Sequence, residues 1–249
     1  MTLSPDAPLA DTPLGRVNPV ARLAVAAVVA AGLLVTVDMV TVSVVLAAEL
    51  VCLPFTGIGW RVLVGRAWPL PLAAGGVAVA NLVASDAGAA TLAAISLRLV
   101  AIALPGLVAF AATDPVDLAD SLHQQLHVPG RFAYGSLAAV RLLPLLSVEW
   151  QTIRRARRAR GIDAGRSPLG AAALLASGLF GLLVAAIRRA TRLAAAMESR
   201  GFDVAGPRTV ARRQVVRPAD WALVAGALVM VGGANALAVA LGTWHPLLW

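Results

Sequence analysis

Thr91–Thr113 reads TLAAISLRLVAIALPGLVAFAAT, twenty-three positions with a single charge at Arg98, and it runs directly into Asp114-Pro115-Val116-Asp117. A helix needs roughly 20 predominantly apolar residues to cross a hydrocarbon core, and this stretch supplies them. Outward from it, four more runs qualify: Ala21–Val37, Met39–Phe55, Pro69–Ser85 and Ala219–Leu241. The 249-residue chain is 59% hydrophobic and 14% charged, against about 25% charged in ordinary soluble domains. The class that follows is an all-α integral membrane protein of about five spans. A soluble enzyme and a disulfide-built secreted domain are excluded, since Cys52 is the one cysteine.

All 21 basic residues are Arg, and their distribution orients the chain. Arg16 and Arg22 flank the first span, Arg61 and Arg66 lie between the second and third, and 14 Arg against three acids fall between Gln151 and Pro218. Placing the N-terminus in the cytoplasm puts every one of these groups on the cytoplasmic side, with Asp38 and Asp86 outside. The expectation is a multi-pass plasma-membrane protein with a cytoplasmic N-terminus. Met1–Pro19, with four prolines and no basic segment leading straight into an apolar one, reads as a disordered lead and not as a cleaved signal.

Two further segments, Phe132–Val148 and Leu169–Ile187, are also long and apolar enough to span. If both crossed, Asp163 and Arg166 would lie outside. The alternative is two long helices at the membrane face, apolar because partners cover them; the residues alone leave both readings open.

A five-residue phrase occurs twice, forty positions apart: Ala159-Arg160-Gly161-Ile162-Asp163 and Ser199-Arg200-Gly201-Phe202-Asp203. Gly161 and Gly201 suit the left-handed residue that closes a helix, and Ile162 and Phe202 supply the apolar contact that follows. Arg160 and Arg200 then sit where a cation complements the helix dipole. An arginine carried on a rigid helix tip is fitted to enter a carboxylate-lined groove, being always charged and bidentate. Asp114 reads as an N-cap with Pro115 at the first helical position, Val128-Pro129-Gly130 as a breaker, and Pro144 as an interruption.

These blocks resemble the coupling region of the transmembrane T component of energy-coupling factor (ECF) transporters, the EcfT/CbiQ-like family. The resemblance rests on Ala112-Thr113-Asp114-Pro115-Val116-Asp117-Leu118, His127-Val128-Pro129, Arg141-Leu142-Leu143-Pro144, Glu149, Arg155–Gly161 and Ala196–Phe202, in the family's order and spacing. Ser199 stands where the first copy has Ala159. The resemblance implies an L-shaped protein, a transmembrane bundle with three coupling helices at Pro115–His127, Arg131–Gly161 and Ser167–Gly201, and so favours five spans over seven. It implies that Ala159-Arg160-Gly161 and Ser199-Arg200-Gly201 each dock in a groove of one of two ABC-type ATPase subunits. A separate substrate-binding membrane (S) subunit would ride on the apolar helix faces. The implied function is coupling within an importer for a vitamin or a transition-metal ion. The implied organisation is a lead over 1–19, four spans over 20–113, coupling helices over 114–204, a basic linker over 205–218, the last span over 219–241 and a tail over 242–249.

No G-x-x-x-x-G-K-[ST] loop occurs, so ATP is expected on partner subunits, with no cofactor or metal on this chain and no catalysis. His123 and His127 stand four apart, the spacing of a helical metal pair, but Gln124 occupies the position where a zinc protease carries its glutamate. A membrane-embedded metal-dependent enzyme using these histidines is the alternative function. A stand-alone carrier using Glu49 and Arg98, ionisable residues inside spans, is another. Counted from the outer ends, Glu49 and Arg98 lie at equal depth with opposite sign, which suggests an ion pair. The run Arg154–Arg160 has the composition of a nucleic-acid or anionic-lipid patch. A membrane anchor speaks against nucleic acid and leaves lipid headgroups compatible with the main reading.

Overall fold

The computed structural model describes residues 12–36, 38–84, 88–162, 167–202 and 210–244. Asp86, Asp163, Arg166, Asp203, most of the lead and the end of the tail, all named above, lie outside the described residues. Among the described residues the regular structure is helical: α1 (Pro19–Leu34), α2 (Met39–Cys52), α3 (Trp60–Ala67), α4 (Pro69–Ala84), α5 (Ala89–Ala111), α6 (Pro115–Gln125), α7 (Gly130–Ala159), α8 (Pro168–Glu198) and α9 (Pro218–Ala240).

Local chemistry sets most of these starts. Pro19, Pro115, Pro168 and Pro218 open their helices where a missing N–H costs nothing. Asn18, Asp38, Asp114 and Ser167 accept the first free N–H groups, from Val20, Thr41, Val116 and Gly170. Pro144 behaves differently from its sequence reading, because α7 runs through it for 30 residues without interruption. A proline there removes one hydrogen bond of the ladder, and packing along α8 holds the helix on both sides of it.

Among the described residues, six helical segments are long and apolar enough to cross a membrane: Met39–Thr56, Trp60–Ala84, Thr91–Ala111, Gly130–Ala159, Pro168–Glu198 and Pro218–Ala240; Pro19–Leu34 is a shorter apolar helix. The chain is an all-α integral membrane protein. α4 matches the third expected span, Pro69–Ser85, while α3, which carries Arg61 and Arg66, is a helix in the stretch between the second and third expected spans.

The chain divides into two compact units, Met1–Val128 with Arg213–Trp249, and Pro129–Arg212. In the first, α1, α2, α5 and α9 close on a core of Val29, Leu33, Val42, Val45, Ala101, Val231 and Ala234. Small residues let these helices approach, as membrane packing requires in the absence of a hydrophobic drive between helices. Gly32 of α1 lies against Val231 of α9 so closely that a Cβ there would collide with the valine. α4 packs on α5 and leaves Leu72, Val79, Leu82 and Val83 exposed, a surface suited to lipid.

One end of this unit is tied by polar contacts. Buried Asp220 accepts from the backbone of Asn18 at 3.1 Å and of Arg217 at 2.7 Å, joining the starts of α1 and α9. The carbonyls ending α5 accept from arginines: Ala112 from Arg22, which is buried, and Ala111 from Arg66 at 3.3 Å. Arginines from α1 and α3 thus gather on the negative end of one helix dipole. α6 belongs to this unit by its contacts. The irregular segment before α9 is fixed to it, with the Gln214 N–H donating to Gln124 Oε1 at 2.9 Å and the Gln214 amide to Asp117 at 3.3 Å.

The second unit is an antiparallel pair, α7 against α8. Trp150 sits against Gly178, where an added Cβ would stand 2.8 Å from the ring. Arg157 of α7 donates to the Leu174 carbonyl at 3.0 Å and to Ser177 Oγ at 2.6 Å. Glu149 meets Arg189 at 3.7 Å, and Tyr134 meets Phe202 edge-on at 6.2 Å. The antiparallel sense shows at the extremes, Tyr134 near the start of α7 meeting Phe202 past the end of α8, and Arg157 near the end of α7 meeting Leu174 near the start of α8.

Candidate coupling tips

The ends of α7 and α8 are built alike. After α7, the Gly161 N–H donates to Arg158 O at 3.0 Å and the Ile162 N–H to Arg157 O at 3.1 Å, with Gly161 at φ +69°. After α8, the Gly201 N–H donates to Glu198 O at 2.9 Å and the Phe202 N–H to Met197 O at 3.0 Å, with Gly201 at φ +76°. Both are Schellman closures, in which the two residues past the cap take up the last free carbonyls. Arg160 is the cap residue of α7 and Arg200 directly follows the α8 cap Ser199; each immediately precedes the left-handed glycine, and both are exposed. Ala159 and Ser199 precede them, exposed as well.

The same closure ends α9, where Gly242 at φ +67° donates to Val239 O and the Thr243 N–H to Ala238 O. That cap carries Leu241 in place of arginine. The backbone device is therefore a general way to end a helix in this chain. What sets the α7 and α8 tips apart is the charged side chain presented on it.

Because α7 and α8 are antiparallel, the two tips lie at opposite ends of the pair. Phe202 beside Tyr134 puts the Arg200 tip at the start of α7, twenty-six residues before Arg160. At 1.5 Å per residue this separates the tips by roughly 40 Å. Arg157 and Trp150, which fix the register of the pair, carry no signal in a single sequence, since their partners lie 20 and 28 residues away.

The remaining sequence candidates are not brought together. Glu49 and Arg98 form no ion pair; both Glu49 carboxylate oxygens and Arg98 Nε are buried without a hydrogen-bond partner. Glu49 lines a groove of about 690 Å³ with Arg22, Cys52, Pro105, Val108 and Met230. Its neighbours on α5 are thus seven to ten residues past Arg98, about 10–15 Å along the axis. Counting from helix starts assumed that α2 and α5 begin at one level, and they do not. His123 and His127 do not share a helix face either. α6 ends at Gln125, His127 has φ +54°, and His123 Nδ1 lies 2.8 Å from the Val128 carbonyl. Among the described residues no group of three or more His, Cys, Asp or Glu side chains is placed to hold a metal ion.

Comparison with known proteins agrees with this architecture. Residues 10–210 match the family model for CbiQ, described as a cobalt transport protein. Three proteins titled energy-coupling factor transporter transmembrane protein EcfT are similar. That of Limosilactobacillus fermentum is 34% identical over 134 residues, 51% of this chain and 50% of the relative. That of Bacillus subtilis is 30% identical over 144 residues, 55% and 54% of the two chains. That of Lacticaseibacillus paracasei is 31% identical over 146 residues, 55% of each. The chain spans about half the length of the curated relatives it matches. With the family model covering most of the chain, it belongs to the CbiQ-like family of transmembrane T components of ECF transporters.

Proposed function

We propose that this chain is the non-catalytic coupling subunit of an ECF-type ABC importer for a vitamin or a transition-metal ion. In this reading Arg160 and Arg200 each enter a groove on one of two ABC-type ATPase subunits, which bind the ATP. ATP-driven approach of the two ATPases would move the tips, and α7 and α8 would pass that motion to a substrate-binding S subunit. The N-terminus would be cytoplasmic, with the arginines of the α5 end and of both tips on that side.

The observation that supports this best is the pairing of two exposed arginines on two equivalent rigid caps at opposite ends of one helix pair. Two separate sockets about 40 Å apart suit two copies of an engine better than one ligand. The exposed apolar side chains of the same pair, among them Phe132, Leu143, Val148, Phe180 and Ile187, offer a surface for a membrane subunit. Asp114, Pro115 and Pro129 set the starts of α6 and α7.

The test is co-purification and uptake. Co-expressed with its ATPase and S subunits, the wild-type chain should carry both ATPases through purification. Arg160→Glu with Arg200→Glu should insert normally and lose the ATPases together with uptake. An intact complex from the double variant would refute the assignment.

A further inference from the structure

Between α7 and α8, next to the first tip, lies a crevice of about 280 Å³ whose lining includes Trp150, Ile153, Arg154, Arg157, Arg158 and Leu174. We infer that it binds the phosphate headgroup of an anionic phospholipid. The inference rests on the chain's place in a membrane and not on the coupling reading.

Three features carry it. Arg154, Arg157 and Arg158 stand at i, i+3 and i+4, so their side chains leave one face of α7. Arg157 is committed to Leu174 O and Ser177 Oγ, which ties α7 to α8 at the crevice. Arg154 and Arg158 are exposed, and their guanidinium groups make no hydrogen bond or ion pair among the described residues. Two uncommitted guanidinium groups one turn apart can converge on a single phosphate, the geometry at which Arg excels.

The rest of the lining argues for a lipid over a soluble anion. Trp150, Ile153, Ile162 and Leu174 form an apolar floor. Leu175, also in the lining, heads a ridge of α8 residues at i, i+4 and i+8, with Leu175, Leu179 and Leu183 exposed by 53%, 57% and 55%. The ridge runs about 12 Å at the α-helical rise, long enough for part of an acyl chain to lie along it. A basic head site opening onto an apolar track of that length matches a phosphodiester with its acyl chain. An acidic protein segment would leave the track unused.

The full-length chain in detergent is offered equal amounts of dioleoylphosphatidylglycerol and dioleoylphosphatidylcholine, and bound lipid is counted by native mass spectrometry. Wild type should favour phosphatidylglycerol. Arg154→Gln and Arg158→Gln should each weaken that preference about fivefold, and the pair by roughly 25-fold. Arg188→Gln with Arg192→Gln, which removes equal charge from α8 elsewhere, should leave the preference intact. Equal loss in that control would show diffuse charge attraction and overturn the site. So would an unchanged preference in the Arg154/Arg158 variants, full displacement by millimolar inorganic phosphate, or protection by added ATPase subunit in place of lipid.

Discussion

Replacing Gly161 by alanine isolates the tip conformation from every other property of the chain. Gly161 sits at φ +69°, and a Cβ built there meets nothing within 4 Å, so the substitution introduces no clash. Its whole effect is the cost of holding an L-residue in the left-handed region, about 1–2 kcal/mol. Alanine is also the best helix former, so the helix would tend to run on through 161 and swing Arg160 out of its cap position. If the closed cap is the form that ATPase binds, its population falls about 5- to 30-fold and apparent affinity falls with it. Asparagine, which tolerates the left-handed conformation, should recover most of the loss. Gly242→Ala supplies the control, since Gly242 has the same φ, the same closure and open space around it, without an arginine. The assay is titration of purified ATPase subunits onto each variant in nanodiscs. Equal binding by Gly161→Ala and wild type, or equal loss in Gly242→Ala, would refute the reasoning.

Other consequences concern the two units separately. Asp220→Ala leaves the Asn18 and Arg217 N–H groups without their buried acceptor and should cost about 2–4 kcal/mol, read as a clear fall in melting temperature in detergent. Asp220→Asn keeps one acceptor oxygen and should lose about half as much. Gly178→Val forces Trp150 from its seat and should cost about 1–3 kcal/mol by overpacking, with faster amide exchange confined to α7 and α8. Trp150→Ala in the same chain should relieve part of it. The charge-swapped pair Glu49→Arg with Arg98→Glu should recover nothing lost by the single changes. Recovery of assembly would show that the two groups meet after all.

Much of this protein is legible in its sequence because the membrane imposes coarse rules. An apolar run near 20 residues, a proline after a capping side chain and a glycine past an arginine each have local causes, and the helices lie where those signals place them. The Gly161 and Gly201 caps follow from the same local logic, down to their hydrogen bonds. What a single sequence does not carry is how distant elements register. Trp150 seats on Gly178 and Arg157 on Ser177 through packing that no spacing announces. Glu49 and Arg98 fail to meet because equal counts from two helix starts are not equal depths. His123 and His127 part because α6 stops at Gln125, and Pro144 leaves α7 whole because α8 supports it.

The central claim is that the two arginine tips hold two ATPase subunits at once, and photo-crosslinking tests it most directly. A photoreactive amino acid replaces Ala159, Ser199 or both, the exposed residues beside the retained arginines, in the chain co-expressed with its ATPase and S subunits, and membranes are irradiated. Each single position should capture one ATPase chain, and the double replacement should yield a product of this chain with two. Crosslinks that reach only lipid or the S subunit, or a double product that never exceeds one ATPase, would contradict it.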